Sequence, residues 1–118
     1  MYEYRAKVLR VVDGDTLHLL VDQGLDTQRK LKVRLNRINC PELSEIPAGI
    51  NAKEFTEAWV ASYANADGWL ILNTVKDRTE KYGRYLAEIS APSALNPNEI
   101  TCLNDRLVQA GHAEYKEY

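Results

Sequence analysis

Arg34, Glu42 and Arg84 are the residues of this chain best suited to act on a phosphate diester. They belong with three short patches rich in further donors: Asp13-Gly14-Asp15-Thr16, Arg34 to Glu42, and Glu80-Lys81-Tyr82-Gly83-Arg84. A phosphate diester is anionic and passes through a more highly charged transition state. Its cleavage therefore needs fixed cations, a base to activate water and usually a hard metal ion. The two arginines supply cations, Glu42 a base, and the aspartates oxygen ligands for a metal.

Each patch alone also has a plainer reading. Asp13 and Asp15 bracket a glycine; on an extended backbone they would point to the same side, about 7 Å apart, yet Asp-Gly-Asp-Thr is also an ordinary solvated turn. Arg34 shares the polar face of its strand with Lys30 and Lys32, a run that reads as a solvated edge discouraging strand addition. Glu42, following Pro41, reads alone as a surface residue. The Glu80 to Arg84 patch could hold a phosphate and stack a base or sugar, or be a charged turn. His18 and His112 read as surface residues, and no His, Cys and carboxylate arrangement suggests a zinc site or thiol nucleophile.

These residues must be held by one compact unit. At 118 residues and 45% hydrophobic, the chain suffices for one domain, 1–118, with a real core. Fifteen Lys+Arg against 17 Asp+Glu give a formal charge of −2, without the global basic signature of tight nucleic-acid coating proteins. A hydrolytic enzyme needs only a local positive pocket. Cys40 and Cys102 read as free thiols. The N-terminal segment has no apolar signal core and no apolar run approaches the roughly 18 residues of a bilayer span, so the expectation is a cytoplasmic protein with no membrane partner.

β-Branched and large apolar residues from Tyr4 to Val12 and from Thr16 to Val21 predict a hairpin turning at Asp13-Gly14. A turn region over Asp22 to Thr27 follows. Leu31, Val33 and Leu35 then alternate with Lys30, Lys32 and Arg34, predicting a strand over Arg29 to Ile38 with one basic face, and a loop from Asn39 to Glu42 at Pro41. Phe55, Ala58, Trp59 and Ser62 fall at helical spacing within 51–66, with Asn51 as candidate cap. Trp69 to Val75 and Arg84 to Ser90 read as strands, Pro92 to Pro97 as a loop, and Leu103 to Ala110 as a short helix stopped by Gly111. The fold class expected is α+β, mainly β: a five-stranded OB-type barrel with an inserted amphipathic helix and a short C-terminal helix.

Taken together and in order, these patches resemble the staphylococcal nuclease (thermonuclease-like) family of calcium-dependent phosphodiesterases on an OB barrel. Val11 to Leu17, Val33 to Glu42, Gly49 to Phe55, Asp77 to Ile89 and Leu103 to Ala113 carry the resemblance. It implies a metal site for Ca2+ at Asp15, Asn39 and the backbone carbonyl of Cys40, with Asp13 and Thr16 supporting it. It implies Glu42 as the base for water, Arg34 and Arg84 as the grip on the scissile phosphate, and Lys81 and Tyr82 as substrate contacts, with Tyr115 or Tyr118 as a stacking residue. It further implies 3′-phosphate products from DNA or RNA, with unpaired strands favoured.

Asn39 departs from the family pattern, where the best-known members carry an aspartate. A neutral amide oxygen removes one negative charge, and calcium affinity follows ligand charge count. Two other readings stay open: a catalytically silent nucleic-acid-binding or interaction module on the same barrel, and a component of a larger assembly docking through its tyrosine-rich C-terminal segment.

Overall fold

The computed structural model describes residues 2–79, 83–92 and 98–117. Along the chain lie β1 (Tyr2–Asp13), β2 (Thr16–Asp22), β3 (Gln28–Leu35), β4 (Ile38–Asn39) and α1 (Ala48–Tyr63). They are followed by β5 (Leu70–Thr79), β6 (Tyr85–Pro92), β7 (Ile100–Cys102), α2 (Leu103–Gln109) and β8 (Glu114–Tyr115).

The main sheet runs β3-β2-β1-β5-β6-β7, and a parallel pairing of β3 with β6 closes β3, β2, β1, β5 and β6 into a five-stranded barrel. This is the expected OB-type architecture. The seam is short: Val33, Arg34 and Leu35 pair with Tyr85, Leu86 and Ala87. The alternation of β3 is realised there, with Val33 and Leu35 buried while Lys30 and Lys32 stay exposed. Leu17, Leu19, Val21, Leu72 and Ile89 complete the same interior.

The first hairpin forms, but its turn is Gly14-Asp15 rather than Asp13-Gly14. The extended geometry that would have aligned Asp13 with Asp15 is therefore absent. Gly14 is needed for proximity: a Cβ there would lie 2.8 Å from the Ala52 Cβ and 3.1 Å from the Cys40 Sγ, so only a bare Cα lets α1 and the Cys40 segment meet the turn.

Two elements differ from the sequence expectation. The third strand ends at Leu35, because Arg37 takes φ 69° and turns the chain before β4 pairs with β8. Helix α1 begins at Ala48, so Asn51 lies inside its first turn and is not its cap. Its buried face is Gly49, Ala52, Thr56 and Trp59, whereas Ala58 and Ser62 are exposed. The buried residue that misleads is Thr56, whose hydroxyl donates to the Gly14 carbonyl at 2.6 Å. Helix α2 ends as expected: His112 N–H donates to the Leu107 carbonyl and Gly111 N–H to that of Val108, with Gly111 at φ 82°. No helix of the described residues is long and apolar enough to cross a membrane.

Candidate functional site

Three chain segments meet at one end of the barrel beside its seam. The β1–β2 turn brings Asp15 and Thr16, β3 brings Arg34, and β4 with the residue after it brings Asn39 and Cys40. Arg84 arrives just ahead of β6, on the other side of the seam.

Asp15 is the hub. Its side chain is almost wholly buried, a position a carboxylate occupies only when its charge is answered. Oδ2 lies 3.2 Å from Arg34 Nη1 and accepts the Cys40 backbone N–H at 2.9 Å. Oδ1 accepts the Thr16 hydroxyl at 3.3 Å. The Asp15 carbonyl accepts the Leu35 N–H at 2.8 Å, fixing the turn to the seam strand. Arg34 bridges onward, its Nη2 donating to Asn39 Oδ1 at 2.6 Å. Arg84 Nη1 donates to the Thr16 hydroxyl oxygen at 3.3 Å, so a single hydroxyl links the second arginine to the buried carboxylate.

Asp15, Thr16, Arg34, Asn39, Cys40 and Arg84 are thus brought together. Asp13 ends β1 opposite Thr16, near enough for its charge to act on Cys40. Glu42 lies in the exposed loop beyond Pro41. Its backbone is tied to Glu45, the Glu42 N–H donating to Glu45 Oε2 at 2.7 Å, but among the described residues its own carboxylate makes no hydrogen bond or ion pair. Tyr115 is held elsewhere, its hydroxyl donating to Asp105 Oδ1 at 3.1 Å beside a cavity of about 530 Å³ lined by Asn36, Arg37, Lys116 and Glu117. Lys81, Tyr82 and Tyr118 lie outside the described residues.

Cys40 does not behave as a nucleophile. Burial pushes its thiol up to about 12, and the Asp15 charge adds to the push, so it stays a neutral packed group. Its contribution to the site is its backbone.

Sequence reasoning missed Asn104, which is fully buried at the start of α2. Its Oδ1 accepts the Ile89 N–H at 3.2 Å, and its Nδ2 donates to the carbonyls of Asn36 at 2.8 Å and Ala87 at 3.1 Å. One amide thereby clamps the turn between β3 and β4 to β6. An asparagine inside the apolar stripe of Leu103, Leu107 and Val108 was the available signal.

Asp15 and Asn39 offer oxygen donors of the type a hard dication takes. Asp15 Oδ2 and Asn39 Oδ1 are both engaged by the Arg34 guanidinium, at 3.2 and 2.6 Å, so a metal ion would have to displace that arginine from them. Among the described residues, however, no group of three or more His, Cys, Asp or Glu side chains is placed to hold a metal ion. Asn39 is where a further charged ligand would have counted.

Residues 32–118 match the family model described as staphylococcal nuclease homologue. That stretch begins within β3, leaving the Asp13 to Thr16 turn ahead of it. The chain is also 29% identical over 131 aligned residues to an uncharacterized protein of Methanocaldococcus jannaschii, covering 93% of this chain and 58% of the relative. The chain therefore spans well under two thirds of the length of the curated relative it matches. With nearly three quarters of its length inside the family match, including both arginines and the loop carrying Glu42, the chain belongs to the staphylococcal nuclease homologue family.

Proposed function

We propose that this chain, acting as one folding unit, is a calcium-dependent nuclease that hydrolyses phosphodiester bonds of DNA or RNA, with unpaired strands favoured. The observation that carries the reading is the convergence of Arg34 and Arg84, from opposite sides of the barrel seam, on the Asp15-Thr16 turn. A guanidinium on β3 and a second just ahead of β6, both aimed at one turn, suit an equatorially charged phosphorane, whose charge they would meet from two sides. Family membership supports nucleic acid as the substrate class.

In this reading Asp15, Asn39 and the Cys40 carbonyl would hold calcium, with Asp13 and Thr16 supporting them. Bound calcium would neutralise phosphate charge. Arg34 leaves its bridge to Asn39 to take a phosphate oxygen, and Arg84 takes a second one from beside Thr16. Glu42 accepts a proton from the attacking water, which meets phosphorus in line with the departing 5′ oxygen and leaves a 3′-phosphate. The exposed loop allows Glu42 to approach substrate, since catalytic contacts often form only in the complex. Lys81, Tyr82 and the C-terminal tyrosines Tyr115 and Tyr118 are assigned to substrate contact by resemblance.

The test is hydrolysis of single-stranded DNA by purified protein across a calcium titration, with chelator and Glu42→Gln controls. Calcium-dependent cleavage to 3′-phosphates, lost in the variant, is the expected result. Arg34→Ala and Arg84→Ala should each lower kcat by roughly 10² to 10³, as for other preorganised charge donors. Losses below tenfold at both would sink the assignment. One observation favours a second reading, a silent binding module: the Glu42 carboxylate is unengaged among the described residues while Arg34 is engaged by Asp15 and Asn39. Binding without hydrolysis at millimolar calcium would establish that alternative.

A further inference from the structure

The outer face of β1, β2 and β3 carries a segregation of charge that the cleavage site does not use. The strand registers set its outward residues in rows across the sheet. Thr16 pairs with Arg34 and with Asp13 at the site, and the next row along is Arg10, His18 and Lys32. Lys7, Leu20 and Lys30 form the row after that, then Arg5, Asp22 and Gln28. Successive rows stand about 7 Å apart.

A β-bulge between Val8 and Arg10 makes this pattern possible. Val8 lies opposite Leu19 and Arg10 opposite His18, so Leu9 is the extra residue and Arg10 is turned to the outer face. Carboxylates occur at the two ends of the face: Asp13 at the site, and Asp22, ion-paired with Arg5 at 2.8 Å, at the far end, with Glu3 beyond. The two middle rows hold Lys7, Arg10, Lys30 and Lys32 and no carboxylate. Arg10, Lys30 and Lys32 are exposed, and among the described residues no ion pair ties them to an acid. Lys7 is steadied by its ammonium lying 4.6 Å from the Trp69 ring centroid.

In a chain of formal charge −2, four cations on two adjacent rows leading from Arg34 are a local positive track on an otherwise acidic protein. We infer that this ridge carries the phosphates of a single nucleic-acid strand beyond the scissile one, Arg10 and Lys32 meeting the nearer phosphates and Lys7 and Lys30 the farther. The inference rests on the proposed nucleic-acid substrate and gives it an extended footprint. Lys30 and Lys32, which read from sequence as a solvated edge, become part of the substrate path. The rigid sheet spaces the charges, and phosphate contacts of this kind position a strand without reading its sequence.

The test is fluorescence anisotropy with a labelled twelve-residue oligothymidylate in chelator, so that binding is read without hydrolysis. Wild type is compared with Arg10→Gln/Lys30→Gln/Lys32→Gln across a salt series, the thermal midpoint of each confirming an intact fold. The triple variant should bind about tenfold or more weakly at low salt. Its slope of log affinity against log salt should fall by about 2, from three phosphate contacts at about 0.7 each for a single strand. Unchanged affinity and slope in a folded triple variant would overturn the inference while leaving the nuclease reading intact. Conversely, ridge-dependent binding by a wild type that cleaves nothing in calcium would uphold the ridge and remove the nuclease. Equal displacement of the oligonucleotide by a polyglutamate peptide of the same charge would overturn the assignment to nucleic acid.

Discussion

In the proposed calcium site, Asn39 sets how strongly a dication is drawn in. Its amide oxygen is 2.6 Å from Arg34 Nη2, and the same guanidinium lies 3.2 Å from the Asp15 carboxylate. Asn39→Asp would add a negative charge felt by two competitors, the Arg34 guanidinium and a calcium ion. At comparable distance and dielectric, Coulomb attraction to the dication is about twice that to the guanidinium, so the exchange should favour metal. The expected outcome is calcium binding tighter by about tenfold or more, measured by calorimetric titration without nucleic acid. Unchanged affinity would remove Asn39 from the ligand set. The same residue scale explains Cys40: its buried thiol packs close to Gly14, while its backbone N–H holds Asp15.

Between elements, the important joint is the one Asn104 makes, because it couples α2 to β6 and to the turn that precedes Asn39. Asn104→Ala would leave the buried Ile89 N–H without its acceptor and the Asn36 carbonyl without its side-chain donor. At about 1–3 kcal/mol for each of these two groups, the loss should be about 2–6 kcal/mol. It would be read as a lower urea midpoint at unchanged m value; a loss under 0.5 kcal/mol would show that water or backbone relaxation replaces the clamp. This joint also marks what the sequence could convey. The barrel strands and both helices were legible because Leu31, Val33 and Leu35, or Leu103 and Leu107, repeat at the period of their element. Strands β4, β7 and β8 were not, since two or three residues carry no period and exist only through a distant partner, as Ile38 does through Tyr115. The arginines and Asp15 were legible as residue types in order. That Arg34 bridges Asp15 to Asn39, and that Thr16 links Arg84 to Asp15, depends on barrel closure, which no local pattern encodes.

For the molecule as a whole, closure and site are the same event. Arg34 and Arg84 flank the seam between β3 and β6, and the turn they converge on belongs to the first hairpin, on the opposite flank of β3. The stretch that matches the family, 32–118, omits that hairpin. It therefore omits both neighbours that complete the barrel: β1 on β5, from Tyr2 to Ala6, and β2 on β3. It also omits Ala6, Val11, Leu17, Leu19 and Val21 from the buried core. The four Leu and Val side chains alone are worth about 6–12 kcal/mol at about 1.5–3 each, against a net stability of about 5–15 for a typical domain. The loss is comparable to the whole margin, before the broken strand pairings are counted. A fragment of residues 32–118 is therefore expected to be unfolded, with collapsed amide dispersion in heteronuclear NMR spectra, whereas residues 1–118 should melt in one cooperative transition. Adding a peptide of residues 1–31 should restore dispersion if the hairpin docks between β3 and β5. A cooperative melt of the fragment by itself would mean that the barrel interior is not the single core described above, and that the Asp15 turn is an appendage to the site instead of its hub.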